Sequence, residues 1–377
     1  MTSAPTSRPI RLGIIGTGLA TKKLHWPALR QLPDLFTTAA FANHSQPPAE
    51  EFAALAGLSM ADFHADYASL LERDDVEAVL IALPIPLLYA ATRDALAAGK
   101  HVLCEKPTGA NLDQARDFLG LAAQYPTRKV LIGENFFYRD DLRLARSLLD
   151  GGAIGRVHLT AWRLVSQMVP REGQFSSTPW RQAPHYRGGP QLDAGVHHVA
   201  QMRILGGDIQ EVQGYVQYAN PTMGGPSDIT LNVHYVSHAI GSYVAGYLPI
   251  PTPGETSEMR LYGTEGVMAL ADRKVRVLRP DGTGTEHAVE ADGGYYNQLL
   301  NFYDAVMDDE PIVGTIAQSF HNMLVVMRAL DSAEEHRPIP ISGVAGGLAE
   351  AGVPLWRPRG ASTLFEGLPC RVTEHAV

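Results

Sequence analysis

Over residues 10–134, short apolar runs alternate with segments in which apolar residues recur every three to four positions. Runs such as RLGII and VEAVLIALP are typical of strands that are buried on both faces. The recurring spacing, as in PAEEFAALAGL and YAATRDALAAGK, predicts amphipathic helices. Because strand and helix alternate throughout, this half of the chain is predicted to form a parallel sheet covered by helices on both faces.

The pattern changes after residue 134. Segments such as EVQGYVQYA, ITLNVHYVS and GSYVAGYL are rich in β-branched and aromatic residues and follow one another without intervening helices. This succession predicts a large, mostly antiparallel open sheet. We therefore predict an α/β nucleotide-binding domain over 1–134 and an α+β domain, for substrate binding and oligomerisation, over 135–342. The pattern does not place the tail, 343–377.

Length and charge narrow the class of protein. A chain of 377 residues is too long for one ordinary core, which agrees with two domains. The net charge of −9 gives no electrostatic footprint for nucleic acid or for an anionic membrane. The opening MTSAPTSRPIRLGIIG lacks the features of a secretory signal, and no apolar run is long enough to span a membrane.

The cysteines and histidines indicate the compartment and argue against a metal. Cys104 and Cys370 are too few for a disulfide framework, so we expect reduced thiols and a cytoplasmic protein. The scattered histidines lack metal-ligand spacing. We therefore expect no metal site.

A glycine turn follows the first predicted strand. Gly16, Thr17 and Gly18 lead into a helix, which is the context of a dinucleotide fingerprint: a tight turn, and a pyrophosphate at a helix N-terminus. Thr21 stands where the third glycine is usual. We predict a Rossmann domain in which Gly16, Thr17, Gly18, Leu19 and Ala20 contact the cofactor; the alternative is a purely structural turn.

The end of the second predicted strand bears on which cofactor binds. NAD-preferring folds carry an acid there, whereas this strand ends in Asn43, His44 and Ser45. These side chains, with Lys22 or Lys23, can bind a 2′-phosphate. The sequence therefore favours NADP. The alternatives are that Asn43 holds the 2′-hydroxyl of NAD, or that these residues only make the turn.

A polar pair stands in the stretch GGPQLDAGVHHVAQMRILGG, residues 188–207. Glycine pairs at both ends and Pro190 near the start predict one helix. At 3.6 residues per turn Asp193 and His197 share one stripe of that helix, while His198 lies on another. The pair is either a buried polar bridge or one wall of a site.

The chain contains three motifs in order, IGTGLATKKLHWPAL, GKHVLCEKP and GGPQLDAGVHHVA. Their order and spacing resemble those of the glucose-fructose oxidoreductase / inositol dehydrogenase / MocA (Gfo/Idh/MocA) family. The resemblance extends over the chain up to about residue 342. The resemblance makes Lys106 the lysine of the E-K-P motif, and Asp193 and His197 the substrate-side pair. The family commonly has an acid three residues after that histidine, where this chain has Ala200.

The resemblance also implies an activity and an assembly. It implies hydride transfer between a nicotinamide cofactor, NADP or NAD, and a sugar, polyol or related compound. It implies a homodimer or homotetramer formed through the open sheet. On the cofactor side we expect Pro84, at the end of the predicted strand VEAVLIALP, and Glu105 and Lys106, at the end of the predicted strand HVLCEKP, because ligands bind at such strand ends.

Alcohol oxidation needs a base for the hydroxyl proton. His197 titrates nearest neutral pH and is the better base, with Lys106 polarising the substrate oxygen and Asp193 orienting the substrate or the histidine. The roles of Lys106 and His197 can also be exchanged, because a buried lysine with a lowered pKa accepts protons.

Further substrate contacts are predicted around these residues. Trp180, Arg181 and Tyr186 lie in the loop TPWRQAPHYRGG, where aromatic rings stack on sugars and arginine binds hydroxyls or carboxylates; the alternative is a loop that merely packs. Asn135 and Tyr138, at the predicted domain junction, are also assigned to substrate. Rival functions are a sugar-sensing regulator, a glycosidase or eliminase using tightly held NAD, and an imine or enone reductase.

Overall fold

The computed structural model describes residues 8–251, 257–290 and 293–377, so the first seven residues of the opening segment lie outside it. The chain divides into two compact units, which we describe separately. The first holds the described residues through Gly109, Asp113–Gly133 and Tyr295–Ile316. The second holds the described residues of Ala110–Leu112, Glu134–Gly294 and Ala317–Val377. The boundaries 1–134, 135–342 and 343–377 stay predictions; Tyr295–Ile316, placed by them in the second domain, groups with the first unit.

The helices, in chain order, are α1 (Trp26–Leu29), α2 (Gln46–Ala56), α3 (Tyr67–Leu71), α4 (Leu88–Ala97), α5 (Leu112–Gln124), α6 (Asp140–Asp150), α7 (Pro179–Gln182), α8 (Gly189–Asp193), α9 (Gly195–Gly206), α10 (Tyr295–Asp308) and α11 (Ile316–Glu335). The strands are β1 (Ile10–Ile15), β2 (Phe36–Ala42), β3 (Phe63–His64), β4 (Ala78–Ile81), β5 (His101–Glu105), β6 (Val130–Gly133), β7 (Val157–Gln167), β8 (Ile209–Gln217), β9 (Asp228–Tyr235), β10 (Ile240–Leu248), β11 (Ser257–Gly263), β12 (Val267–Ala271), β13 (Lys274–Leu278), β14 (Gly284–Glu290), β15 (Ile339–Pro340) and β16 (Arg371–Ala376). A π-helical turn, Thr21–His25, precedes α1.

The first unit is built on a sheet with the strand order β3-β2-β1-β4-β5-β6, and all its pairings are parallel. The predicted parallel α/β sheet is confirmed. Its strands are apolar because both faces are covered: Ile14, Phe41 and Leu80 have no exposed surface. Since the carboxyl ends of parallel strands share one edge, the ends of β1, β2, β4 and β5 lie along the edge where ligands bind in such folds.

The second unit contains a ten-stranded sheet with the order β15-β8-β9-β10-β7-β11-β12-β13-β14-β16. The pairing of β10 with β7 is parallel and the other described pairings in it are antiparallel, which confirms the predicted mostly antiparallel sheet. One strand inside this sheet, the 11-residue β7, is not predicted by the sequence pattern. Among the described residues, no helix combines the length and apolar character needed to cross a membrane.

The two faces of the ten-stranded sheet differ in burial. Along β10, residues alternate so that Tyr243 and Ala245 are buried, whereas Ile240 and Val244 are exposed. The buried face is covered by α9 and α11: His198 of α9 hydrogen-bonds Tyr243, and the backbone of α11 passes so close to β8 that only a glycine, Gly214, fits there. The other face carries exposed apolar side chains.

The stretch 188–207 forms two helices instead of the single helix that its pattern predicts. Helix α8 ends at Asp193 and α9 begins at Gly195, with a turn at Ala194 between them. At this point the His197 N–H bonds the Ala194 carbonyl, a 3₁₀-type bond three residues back. The weak helix propensity of Gly195 helps to explain why the helix is interrupted here.

The tail, which the sequence did not place, is anchored to α6 by a buried arginine. The Arg143 side chain is 1 % exposed; it ion-pairs with Asp140, and its Nε and Nη2 atoms donate to the carbonyls of Trp356 (3.2 Å) and Leu364 (2.6 Å). The guanidinium also lies 4.7 Å from the centre of the Trp356 ring. Beyond this anchor, β16 pairs with β14 and extends the sheet.

We expect Arg143→Met to lower the free energy of unfolding by about 3–5 kcal/mol, because it removes the cation that neutralises the buried Asp140 carboxylate and frees two tail carbonyls. Thermal and urea unfolding measure this loss. Arg116→Met is the matched control, since Arg116 and Asp113 form an ion pair on the exposed surface of α5. Its effect should stay within about 0.5 kcal/mol, and equal losses in the two variants would contradict the anchoring role.

Candidate active site

The glycine turn has the geometry that a dinucleotide requires. Gly16 has a φ of +92°, and a Cβ atom there would lie 2.3 Å from the Ala82 carbonyl oxygen, so only glycine fits. At Gly18 a Cβ would meet no atom within 4 Å, which leaves open space beside the backbone for a pyrophosphate. The Thr21 hydroxyl, in place of the third glycine, donates to the Gly16 carbonyl at 2.5 Å and fixes the turn. These residues fit a dinucleotide.

Asn43 is a structural link between β2 and the glycine turn. Its Oδ1 accepts the Thr17 N–H at 3.3 Å, and its Nδ2 donates to the Ser45 carbonyl at 2.7 Å. Ser45 stands at the N-cap of α2 without a side-chain capping bond, and the first turn of that helix, beginning at Gln46, contains no acid. His44 is exposed. The polar atoms and the helix terminus therefore give this strand end a neutral to positive character.

The two lysines after the glycine turn differ in their surroundings. Lys22 ion-pairs with Glu51 on α2, so its charge is partly neutralised. Lys23 is exposed on the π-helical turn. Leu19 and Ala20, which lead into this turn, are partly exposed beside Gly18.

The remaining predicted cofactor residues follow β4 and β5. Pro84 comes three residues after β4 and precedes a 3₁₀ turn. Glu105 is the last residue of β5, and its Oε1 lies 2.6 Å from Nε2 of His25, which is not among the site residues predicted from the sequence. Lys106 follows Glu105 and is partly exposed. The strand ends thus bring the fingerprint turn, Pro84 and Lys106 to one edge of the sheet.

In the second unit, His197 is bonded to an acid that the sequence analysis missed. Its Nδ1 lies 2.5 Å from Oε1 of Glu134, whose side chain is 1 % exposed. The imidazole also stacks on Phe136, with ring centres 4.9 Å apart. Because a carboxylate only accepts hydrogen bonds, Nδ1 carries the proton and Nε2 is left as the basic nitrogen. Glu134 supplies an acid for this histidine, whereas Ala200, at the family's usual acid position, is completely buried.

His198 is a core residue. It is 7 % exposed, and its Nδ1 lies 2.5 Å from the Tyr243 hydroxyl. Its ring also meets the edge of Trp162. Adjacent histidines therefore have different environments, as the helical stripes predicted.

Asp193 is ion-paired with an arginine of the preceding loop. The Nε atom of Arg181 donates to Asp193 Oδ2 at 2.6 Å, and its guanidinium lies 4.0 Å from the centre of the Trp180 ring. The side chains of Asp193 and Arg181 are 15 % and 21 % exposed. Asp193 is predicted from the sequence to orient either the substrate or His197; in the structure the acid bonded to His197 is Glu134. These predicted residues thus form a partly exposed polar and aromatic cluster.

Three further residues assigned to substrate differ in exposure. Tyr138 is fully buried against Trp356, and its assignment to substrate stays a prediction. Asn135 is 7 % exposed; its Nδ2 donates to the Gly293 carbonyl, while its Oδ1 has no hydrogen-bond partner among the described residues. Tyr186 is partly exposed, and burial and the neighbouring Asp193 raise the pKa of its phenol, which therefore stays protonated.

The two missed residues left little trace in the sequence. Glu134 ends the run KVLIGE, and a polar residue at the edge of an apolar run is the one signal that marks it. His25 lies within a segment with helical apolar spacing, which predicts a helix but no function for the histidine. Within the described ranges, no group of three or more His, Cys, Asp or Glu side chains is placed to hold a metal ion.

Comparisons with known proteins agree with this architecture. The profile of the GFO_IDH_MocA oxidoreductase family, described as an NAD-binding Rossmann fold, matches residues 10–133. The GFO/IDH/MocA C-terminal domain profile matches residues 142–269.

Individual relatives match most of the chain. An uncharacterized Saccharomyces cerevisiae protein is 27 % identical over 87 % of this chain and 97 % of its own length. A dTDP-3,4-didehydro-2,6-dideoxy-alpha-D-glucose 3-reductase from Streptomyces violaceoruber is 30 % identical over 74 % of this chain and 80 % of its own. The crystal structure of an oxidoreductase from Thermotoga maritima superposes with a TM-score of 0.82 and 29 % identity, covering 90 % of this chain and all of that one.

Proposed function

Because the chain belongs to the Gfo/Idh/MocA family of NAD-binding oxidoreductases, we propose that it transfers a hydride between NADP(H) and a CH–OH or carbonyl carbon of a sugar, polyol or related small molecule. The observation that carries the proposal is the bond between His197 and the buried Glu134, which prepares a histidine for proton transfer. The relative named as a sugar-nucleotide 3-reductase supports the substrate class.

His197 is the proposed general base. With its Nδ1–H held by Glu134, its Nε2 accepts the hydroxyl proton of an alcohol substrate, and the imidazolium that forms is stabilised by the carboxylate 2.5 Å away. Stacking on Phe136 fixes the plane of the ring. In the direction of reduction the same nitrogen returns the proton to the alkoxide.

Lys106 is the proposed electrophilic partner. Its ammonium stabilises the negative charge that develops on the substrate oxygen. The bound nicotinamide supplies or accepts the hydride. The residues proposed to hold that cofactor are Gly16, Thr17, Gly18, the strand end around Asn43 and the backbone at the end of β5, where Lys106 follows; the Lys106 side chain is assigned to the substrate oxygen. The roles can also be exchanged, with Lys106 as the base. The pH profiles of kcat for His197→Ala and Lys106→Ala distinguish the two assignments, because the variant without the base loses the ionisation of that base from its profile.

The cluster of Asp193, Arg181 and Trp180 is the proposed substrate-recognition surface. Asp193 and Arg181 neutralise each other and retain further hydrogen-bonding capacity, which suits a polyhydroxyl compound. Tyr186, protonated, offers a hydroxyl donor. The Asn135 carbonyl oxygen, Oδ1, has no partner among the described residues and offers an acceptor.

For the cofactor, NADP is favoured over NAD because no acid stands at the end of β2 or in the first turn of α2. An acid there holds the ribose hydroxyls of NAD and repels a 2′-phosphate. Ser45 and His44 are the proposed phosphate contacts. Lys22 contributes less than the sequence suggested, because Glu51 shares its charge.

We further propose that a second copy of the chain covers the exposed face of the ten-stranded sheet, giving a dimer or tetramer. Leu159 and Ile240 are directly paired on neighbouring strands and are 37 % and 57 % exposed, with Val244 and Tyr215 on the same face at 38 % and 58 %. Such a patch on strands is typical of an interface. A cytoplasmic location is proposed from the two cysteines, neither of which is disulfide-bonded.

We expect the purified protein to oxidise or reduce its nicotinamide cofactor with at least one member of a panel of polyols, aldoses and keto-sugars. The absorbance of the reduced cofactor measures this reaction. His197→Ala and Lys106→Ala should each lower kcat by about 10²–10⁴-fold while NADP binding is nearly unchanged. Glu134→Gln should also lower kcat, because an amide does not stabilise the imidazolium. His198→Ala should lower the melting temperature and cost far less kcat, since it breaks a core hydrogen bond. Equal losses of kcat at His197 and His198 would contradict the assignment of the base.

We expect calorimetry to give a dissociation constant for NADP at least tenfold below that for NAD, since one charge-assisted contact to the 2′-phosphate contributes roughly 1.5–3 kcal/mol. Asn43→Asp should reverse the order by placing a carboxylate at the strand end. Glu51→Gln should tighten NADP without affecting NAD, because it releases Lys22. A wild-type affinity for NAD equal to or tighter than that for NADP would refute the preference.

We expect sedimentation velocity to show a dimer or tetramer at micromolar concentration. Ile240→Lys should shift the chain towards monomer, because it places a charge in the proposed interface. Leu55→Lys is the matched control: Leu55 is 52 % exposed on α2 of the first unit, and its replacement should leave the assembly intact. A monomeric wild type would rule out the sheet interface.

A further inference from the structure

We propose that His25 is a positioning residue for Lys106 and acts through Glu105. The inference rests on the proposed catalytic role of Lys106. It assigns a task to a histidine in the first unit that neither the glycine turn nor the mechanism above uses.

The contact between His25 and Glu105 is short and shielded from water. The His25 side chain has no exposed surface and that of Glu105 is 11 % exposed, while Nε2 and Oε1 lie 2.6 Å apart. Since the carboxylate only accepts, Nε2–H is the donor. A hydrogen bond to a charged group that is buried from solvent is stronger than one at the protein surface.

The surroundings of the second ring nitrogen indicate why a histidine stands at this position. Its Nδ1 is buried and has no hydrogen-bond partner among the described residues, and its face meets the edge of Tyr295 with ring centres 5.2 Å apart. A buried nitrogen without a partner costs free energy. An apolar side chain would fill the same space without that cost, so the donor to Glu105 is what distinguishes histidine here.

His25 also connects two parts of the proposed site. It ends the π-helical turn that begins at Thr21, and Thr21 is bonded to Gly16 of the fingerprint. π-helical turns inside helices are frequent at functional sites. A continuous set of contacts thus runs from Gly16 through Thr21 and His25 to Glu105, whose next residue is Lys106.

The consequence is a fixed end for β5. Strand pairing holds β5 up to Glu105, which pairs with Gly133. The hydrogen bond from His25 also holds the Glu105 side chain. The backbone at the end of β5 therefore has a defined conformation, and this fixes the position of the Lys106 Cα atom. Misplacement of a catalytic group by about 1 Å costs about 10²-fold in rate.

The test compares His25→Leu, which removes the donor, with His25→Gln, whose amide restores it. We expect His25→Leu to lower kcat by about 10–100-fold, with KM and the NADP dissociation constant within about twofold of wild type. His25→Gln should recover most of kcat. In cofactor-free protein, hydrogen exchange at the amides of 105–110 should be faster in His25→Leu and near wild type in His25→Gln.

His101→Leu is the matched control. His101 begins β5, the strand that Glu105 ends; burial and the charges of Arg128 and Lys129 lower its pKa to about 4. Its replacement should lower stability but leave kcat and exchange at 105–110 unchanged. If His25→Leu does not fold, His25→Asn, too short to reach Glu105, takes its place and should be impaired where His25→Gln is not.

Two results would overturn the inference: full kcat in His25→Leu or His25→Asn, or an equal loss in His101→Leu. Lys106→Ala separates this failure from that of the proposed function. If Lys106→Ala loses kcat and the His25 variants do not, the positioning role fails alone. If Lys106→Ala keeps full kcat, the proposed catalytic role of Lys106 fails, whatever His25 does.

Discussion

A carboxylate enclosed by protein needs a donor, because the water that would otherwise solvate it is absent. The chain satisfies this requirement with a histidine in each unit. Glu105, at the end of β5, is bonded to His25, and Glu134, directly after β6, is bonded to His197. Each bond joins a carboxylate to a histidine far away in sequence within the same unit. The contact with Glu134 fixes the His197 ring, and the proposed positioning of Lys106 rests on the contact between His25 and Glu105.

The parallel sheet and the glycine turn were predictable because their signals are local. An apolar strand buried on both faces is a continuous run, and the demand for glycine at Gly16 arises from the tight turn itself. The ten-stranded sheet was recognised from most of its strands, but β7 was not. Several of its residues are only half buried, so VHLTAWRLVSQ shows neither a continuous run nor a clean alternation.

The contacts of the candidate site that could not be predicted join residues far apart in the sequence. Glu134 and His197 are 63 residues apart, and nothing in the segment GENFFY separates Glu134, with its partner in α9, from Tyr138, which is part of the core. The same holds for the tail: Arg143 reaches carbonyls 213 and 221 residues further along the chain. The turn at Ala194 was also missed, since alanine is the strongest helix former.

The edges of the ten-stranded sheet bear on how the protein behaves in a crowded solution. One edge, β15, is two residues long and ends in Pro340, which has no N–H to offer to another strand. The other, β16, carries Arg371, Glu374 and His375 with mostly exposed side chains. Short, proline-ended or charged edges discourage the addition of foreign strands. A sheet this wide is thereby protected from edge-to-edge growth into fibres, which leaves the face of the sheet for the proposed second copy; symmetric association through a face closes on itself.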